Sequence, residues 1–141
     1  MSVPKIYDEN WPILLIVWPK EVTIEDIDEH FHQIQDYLDR DHMWGVVVDA
    51  SQVSIKSASP SFRRHIGERL KGLIPRISET CVCEAFVLPS AMLRGLMTAI
   101  HWISGPVWPR RYFEDVYEAS SWVKQEYSKR STQGSLHRAG H

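Results

Sequence analysis

Cysteine is scarce in this chain. Only Cys81 and Cys83 are present, both inside one apolar run. Two such residues on one strand face are held too far apart and too parallel for an easy disulfide. They also lack the spacing of a secreted disulfide scaffold. Core thiols in a reducing compartment are therefore expected. A Cys-x-Cys half-site needs a second pair to close around a metal, and the sequence offers none. Glycine is sparse too, with seven in 141 residues. No Gly-x-Gly-x-x-Gly or Gly-Lys-Ser/Thr occurs, which excludes the common phosphate-cradling loops. A Gly-x-Ser-x-Gly nucleophile elbow is missing as well. The longest apolar stretch, Ile13 to Trp18, falls far short of the roughly 20 residues that span a bilayer, so no membrane span is expected. No basic start, apolar run and cleavage site opens the chain, and the expected location is cytoplasmic. Charge of one sign is also lacking. Sixteen Lys and Arg stand against eighteen Asp and Glu, for a net charge of −2. That balance gives no pull toward nucleic acid.

What is there suits a folded domain. The 43% hydrophobic and 24% charged fractions are ordinary for a globular protein, and the length fits one domain with a real core. Six tryptophans are many for this size. Lys5 to Tyr7 reads as a short strand and Pro12 to Trp18 as a stronger one, with Asp8-Glu9-Asn10 as the hairpin turn between them. Thr23 to Arg40 is the clearest helix. Ile24, Ile27, Phe31, Ile34 and Leu38 recur at intervals of three and four along one face. Thr23 caps it, and Asp26 stands where a capping-box acid belongs. Its outer face is acidic, with Glu25, Asp26, Asp28, Glu29, Asp36 and Asp39. His30 and His32 flank Phe31 and are expected to point away from the stripe. Residues two apart on a helix diverge by about 200°, so the pair cannot hold one metal.

The organising stretch is Val46-Val47-Val48-Asp49-Ala50-Ser51, a polar loop, then Ser59-Pro60-Ser61-Phe62. Three consecutive valines mark a strand buried on both faces. Ser59 can cap the following helix, and Pro60 sits at its first position, where a missing N–H costs nothing. Phe62, Ile66, Leu70, Leu73 and Ile77 form that helix's apolar stripe. Arg63, Arg64, Arg69, Lys71 and Arg76 form a basic face, and Pro75 is expected to end or kink the helix near Ile74. An acidic first helix and a basic second one would give the molecule opposite local charges that can steer a partner or a second copy.

Cys81 to Leu88 reads as the third main strand. Ser90 caps a helix to about Ile103 that is apolar nearly all round. Such a helix is either sandwiched or partly exposed as a contact surface. A rigid loop, Ser104 to Pro109, leads to a short strand at Arg111 to Phe113. Asp115 then caps a last helix, Val116 to about Lys129, with Val116, Ala119, Val123 and Tyr127 inward. Residues 1–130 are the expected domain and 131–141 a flexible tail. Strand and helix alternate throughout. The expected fold class is therefore α/β, a mostly parallel central sheet of four or five strands with about four helices.

In element order the chain resembles the STAS superfamily, named for sulfate transporters and anti-sigma-factor antagonists. The likeness is greatest to its small stand-alone bacterial members. That fold is loosely shared with the lipid-binding CRAL-TRIO domains. Family members carry a hydrophobic strand, a polar residue at its end, a loop, and Asp-Ser-Ser-Gly at a helix start. Here the matching run is Val46-Val47-Val48-Asp49, Val53, Ile55, then Ser57-Ala58-Ser59-Pro60. The family's switch serine falls on Ser59. Ser57, Ala58 and Pro60 replace the family's aspartate, first serine and glycine. Tyr112-Phe113-Glu114-Asp115 with Ala119 and Trp122 is similar to the family's closing strand and helix.

Two functional expectations follow, neither enzymatic and neither with a cofactor. The resemblance implies a bacterial signalling or regulatory domain. It would bind a protein partner, or a second copy of itself as a homodimer, through Asp49, Ser51, Ser57, Ser59, Arg63 and Arg64, switched by phosphorylation at Ser59. A phosphate there would add about −1.5 to −2 charges at a helix amino terminus, with Arg63 one turn on. The alternative is carriage of a small apolar ligand in a pocket under the third helix, lined by Met92, Leu96, Trp102 and Trp108. A hydrolytic trio of Asp49, Ser51 and His65 or His101 has no support in spacing.

Overall fold

The computed structural model describes residues 2–54, 59–104 and 108–139. It is an α/β fold of nine elements: β1 (Lys5–Tyr7), β2 (Ile13–Val17), α1 (Ile24–Leu38), β3 (Trp44–Asp49), α2 (Pro60–Thr80), β4 (Cys81–Val87), α3 (Ala91–Ser104), β5 (Arg110–Phe113) and α4 (Val116–Ala139). The five strands form one sheet in the order β1-β2-β3-β4-β5. β1 and β2 are an antiparallel hairpin, and every later neighbour is parallel. Each crossover steps one strand the same way. Crossovers of one hand then bring α1, α2 and α3 to the same face of the sheet.

The strands alternate accordingly. Leu14, Ile16, Val46, Val48, Phe86 and Leu88 pack with Ile34, Ile77 and Leu93 from those three helices. Val47, Cys83, Ala85 and Val87 face the other way, against Ala119 and Val123 of α4. The valine triplet is thus buried on both faces, as its composition predicts. The two cysteines do not share a face. Between Trp44 and Gly45 the register slips, so that Trp44 pairs with Cys81 and Gly45 with Cys83. The extra residue turns Cys81 toward the three-helix side while Cys83 lies under α4.

Capping follows the sequence closely. Thr23 Oγ1 accepts from the Asp26 N–H at 3.1 Å, and Asp26 Oδ2 accepts from the Thr23 N–H at 3.0 Å. That backbone bond holds the Asp26 carboxyl below its ordinary range. Asp26 is therefore a buried cap and not part of an outer acidic face. Ser59 Oγ accepts from the Phe62 N–H at 3.2 Å, with Pro60 opening α2. Ile24, expected in the buried stripe, is exposed, while His30 is buried.

Pro75 does not end α2, which continues to Thr80. Pro75 and Lys71 are both exposed, so the carbonyl left without its N–H donor can take water. α4 likewise runs on to Ala139 and not only to Lys129. The acidic and basic faces are joined in part, through Asp28 and Asp39. They meet across the α1–α2 contact: Asp28 Oδ1 lies 2.8 Å from His65 Nε2 and 3.3 Å from Arg69 Nε, and Asp39 Oδ1 accepts from Arg76 at 2.6 Å. No helix among the described residues is long and apolar enough to cross a membrane.

Candidate functional site

β3 delivers Asp49 to the carboxyl edge of the sheet, where the chain turns sharply. Asp49 Oδ1 accepts from the Ser51 N–H at 3.0 Å and from the Ser51 hydroxyl at 2.6 Å. This is a local side-chain turn that any short acid–serine pair can form. Ser59 is exposed at the start of α2, its hydroxyl 3.2 Å from that of Ser61. Arg63 is half-buried and Arg64 exposed. Among the described residues no side-chain hydrogen bond or ion pair joins Asp49 and Ser51 to Ser59, so the expected docking surface consists of two separate polar groups. Ser57 lies outside the described residues. The histidines considered for a hydrolytic trio are engaged elsewhere, His65 with Asp28 and His101 Nδ1 with the Tyr112 hydroxyl at 3.1 Å.

Beneath this edge the sheet and the three helices do not close completely. They enclose a cavity of about 110 Å³. Val46, Val48 and Phe86 form its floor, and Phe31, Ile66, Leu96 and Ile100 of the three helices form its roof. Ala50, Val53 and Phe62 close the end next to the Ser59 turn. Among the described lining residues only His30, Glu84, His101 and Arg110 carry titratable groups.

No protein-family model matches the chain. No curated protein matches it either. Its chemistry must therefore be read from the cavity and the strand edge themselves.

Of the four apolar residues expected to line a pocket, Leu96 and Trp108 do so. Met92 and Trp102 do not. They stand on the outer side of α3, 68% and 83% exposed. Helical spacing explains the split. Leu93, Leu96 and Ile100 share the inward face, Trp102 falls nearly opposite it, and Met92 lies at its edge in the first turn of α3.

The titratable groups were not legible as pocket residues. Glu84 and Arg110 are register partners on β4 and β5, each 13% exposed, with Arg110 Nε 2.8 Å from Glu84 Oε1. Burial raises the Glu84 carboxyl above its ordinary range, and Arg110 opposes that rise. The Arg110 guanidinium also lies over Phe86 and Trp108. The signal in the sequence is a lone acid inside the apolar run Cys81 to Leu88, with its counter-ion 26 residues further on at Arg110. His101 packs against Phe86 and Tyr112, which also touch each other, and burial, with Arg110 nearby, pushes its pKa down to about 3. His30 is only 4% exposed. Its ring sits edge-on to Trp18 at 5.7 Å and beside Phe31 at 5.4 Å. Burial alone pushes its pKa down to about 4. It was expected on the outer side of α1. In the fold, Trp18 and α2 extend the covered surface around that helix, so the position three residues after Ile27 is enclosed as well.

Proposed function

We propose that this chain is a non-enzymatic binding domain whose interior receives a small apolar molecule. The cavity of about 110 Å³ under α1, α2 and α3 carries this reading. Cavities of this order lined by aliphatic and aromatic side chains stay dry and take small apolar guests, since water finds too few polar partners there. The covering helices are held to one another largely by side-chain packing and surface ion pairs, which can part without breaking the sheet. Methyl-resolved NMR of the purified protein with added toluene tests the reading. Shifts are expected at Val46, Ile66 and Leu96, with Val123 on the α4 side unmoved. Unchanged spectra up to toluene saturation overturn it. Native mass spectrometry of the protein as purified shows whether a guest arrives with it.

A second reading is supported by the exposed Ser59 cap at the mouth of the 21-residue α2. As in the STAS-like resemblance, a protein partner, or a second copy of the chain, would dock at Asp49, Ser51, Ser59, Arg63 and Arg64. Phosphate on Ser59 would be favoured by the helix dipole and by Arg63, which forms no ion pair among the described residues. Such a domain would serve a bacterial signalling or regulatory system. A pull-down in which Ser59→Glu and Arg63→Ala leave partner recovery unchanged would count decisively against this surface. The two readings are compatible, because Val53 and Phe62 belong to both the turn and the cavity wall.

A further inference from the structure

We propose that the cavity selects small neutral molecules bearing one hydroxyl or carbonyl on a single ring or a chain of similar bulk, with that oxygen hydrogen-bonded to His30. This deepens the reading of the cavity as an apolar site and rests on it. His30 lines the cavity, and its Nδ1 is buried with no hydrogen-bond partner among the described residues. A buried imidazole nitrogen without a partner is costly, because its hydration is lost and nothing replaces it. The flanking groups do not relieve it: Trp18 and Phe31 offer ring edges and faces. A guest oxygen can relieve it from either side of the exchange. A hydroxyl donates to Nδ1 in one tautomer, and a carbonyl accepts from Nδ1–H in the other.

Size and charge narrow the class further. A cavity of about 110 Å³ is of the order of one that admits a benzene ring. That is too small for a long acyl chain. A carboxylate guest would need a cation within the wall. The buried cation there, Arg110, is already matched by Glu84 at 2.8 Å. His30 is kept neutral by its burial, so an anion would be desolvated without compensation.

The test uses phenol, toluene and benzoate with the full chain at neutral pH. Binding is followed by tryptophan fluorescence and by ¹⁵N NMR of the histidine rings. Phenol is expected to shift the His30 Nδ1 resonance and toluene to leave it in place, a result that needs no variant. In His30→Phe the preference for phenol over toluene should fall about tenfold, the size of one hydrogen bond made at an otherwise unpaired buried group. Benzoate should not compete with either. If toluene and phenol both bind and the His30 resonance ignores both, the selectivity proposal is overturned while the apolar site stands. Benzoate binding as tightly as phenol overturns the restriction to neutral guests. If none of the three binds, the apolar site itself falls, and the selectivity with it.

Discussion

Glu84 and Arg110 face each other across the last two strands with little water around either. Their attraction is strong in that setting, but so is the cost of removing both from water. The asymmetry between breaking and replacing such a pair is the useful prediction. Glu84→Ala leaves a buried guanidinium without its counter-ion and should destabilise the fold by about 3–5 kcal/mol in urea denaturation. Replacing both at once, Glu84→Met with Arg110→Leu, should restore most of that loss. A double variant as unstable as the single one would mean that the pair's other contacts dominate, among them the stacking of Arg110 on Phe86 and Trp108. The same residue scale shows where sequence reading stops. The Thr23–Asp26 box and the Ser59 cap are local, so their sequence spacing is their geometry. His30 and Glu84 owe their burial to residues far along the chain, and spacing on one helix or strand does not contain that information.

Along α2, two glycines of similar sequence context behave differently. A Cβ at Gly67 would lie 2.6 Å from Ile103 Cβ and 3.2 Å from the Ile100 carbonyl, whereas one at Gly72 would meet nothing within 4 Å. Gly67 lets α2 and α3 approach each other closely. Gly72 only weakens its helix. Gly72→Ala should therefore stabilise by up to about 1 kcal/mol through helix propensity. Gly67→Ala gains the same propensity but forces two backbones apart, a strain of about 1–3 kcal/mol that should leave the variant less stable. Thermal unfolding of the two variants side by side measures this, and equal shifts of one sign would refute the close-packing role. The elements themselves were largely legible. Five strands and four helices stand where apolar periodicity, caps and turn residues put them. The exceptions have physical causes. Pro75 is tolerated because its turn faces solvent. The slip opposite Trp44 is set by pairing with β3, which moves Cys81 and Cys83 to opposite faces.

On the scale of the whole molecule, two buried histidines couple the fold to proton concentration. The His30 and His101 pKa values, pushed down to about 4 and about 3, lie well below the ordinary value of 6.5. The unfolded chain therefore takes up these protons first as pH falls, and stability is lost wherever the unfolded state binds more of them. Above about pH 6.5 both forms are neutral and the fold keeps its full stability. From there toward pH 4 each histidine draws the equilibrium to the unfolded side, by about 2 kcal/mol between neutral pH and about pH 5. Glu84 works in the opposite direction, because its raised carboxyl favours the folded state as pH falls. Asp26, held low by its capping bonds, adds a loss only in the more acid range below the unfolded carboxylate value. Urea denaturation at neutral pH and at about pH 5 should show a drop of about 4 kcal/mol for the pair. His101→Phe should remove about half of that slope, whatever its effect on the neutral-pH stability. A neutral guest whose hydroxyl donates to His30 holds the folded ring's pKa lower still, so it leaves the loss down to about pH 5 nearly unchanged and extends it below about pH 4, where the empty site would take up its proton. A slope unaltered by His101→Phe would mean that this ring opens to water before the fold does, and that the helices over the cavity part as a unit ahead of the sheet.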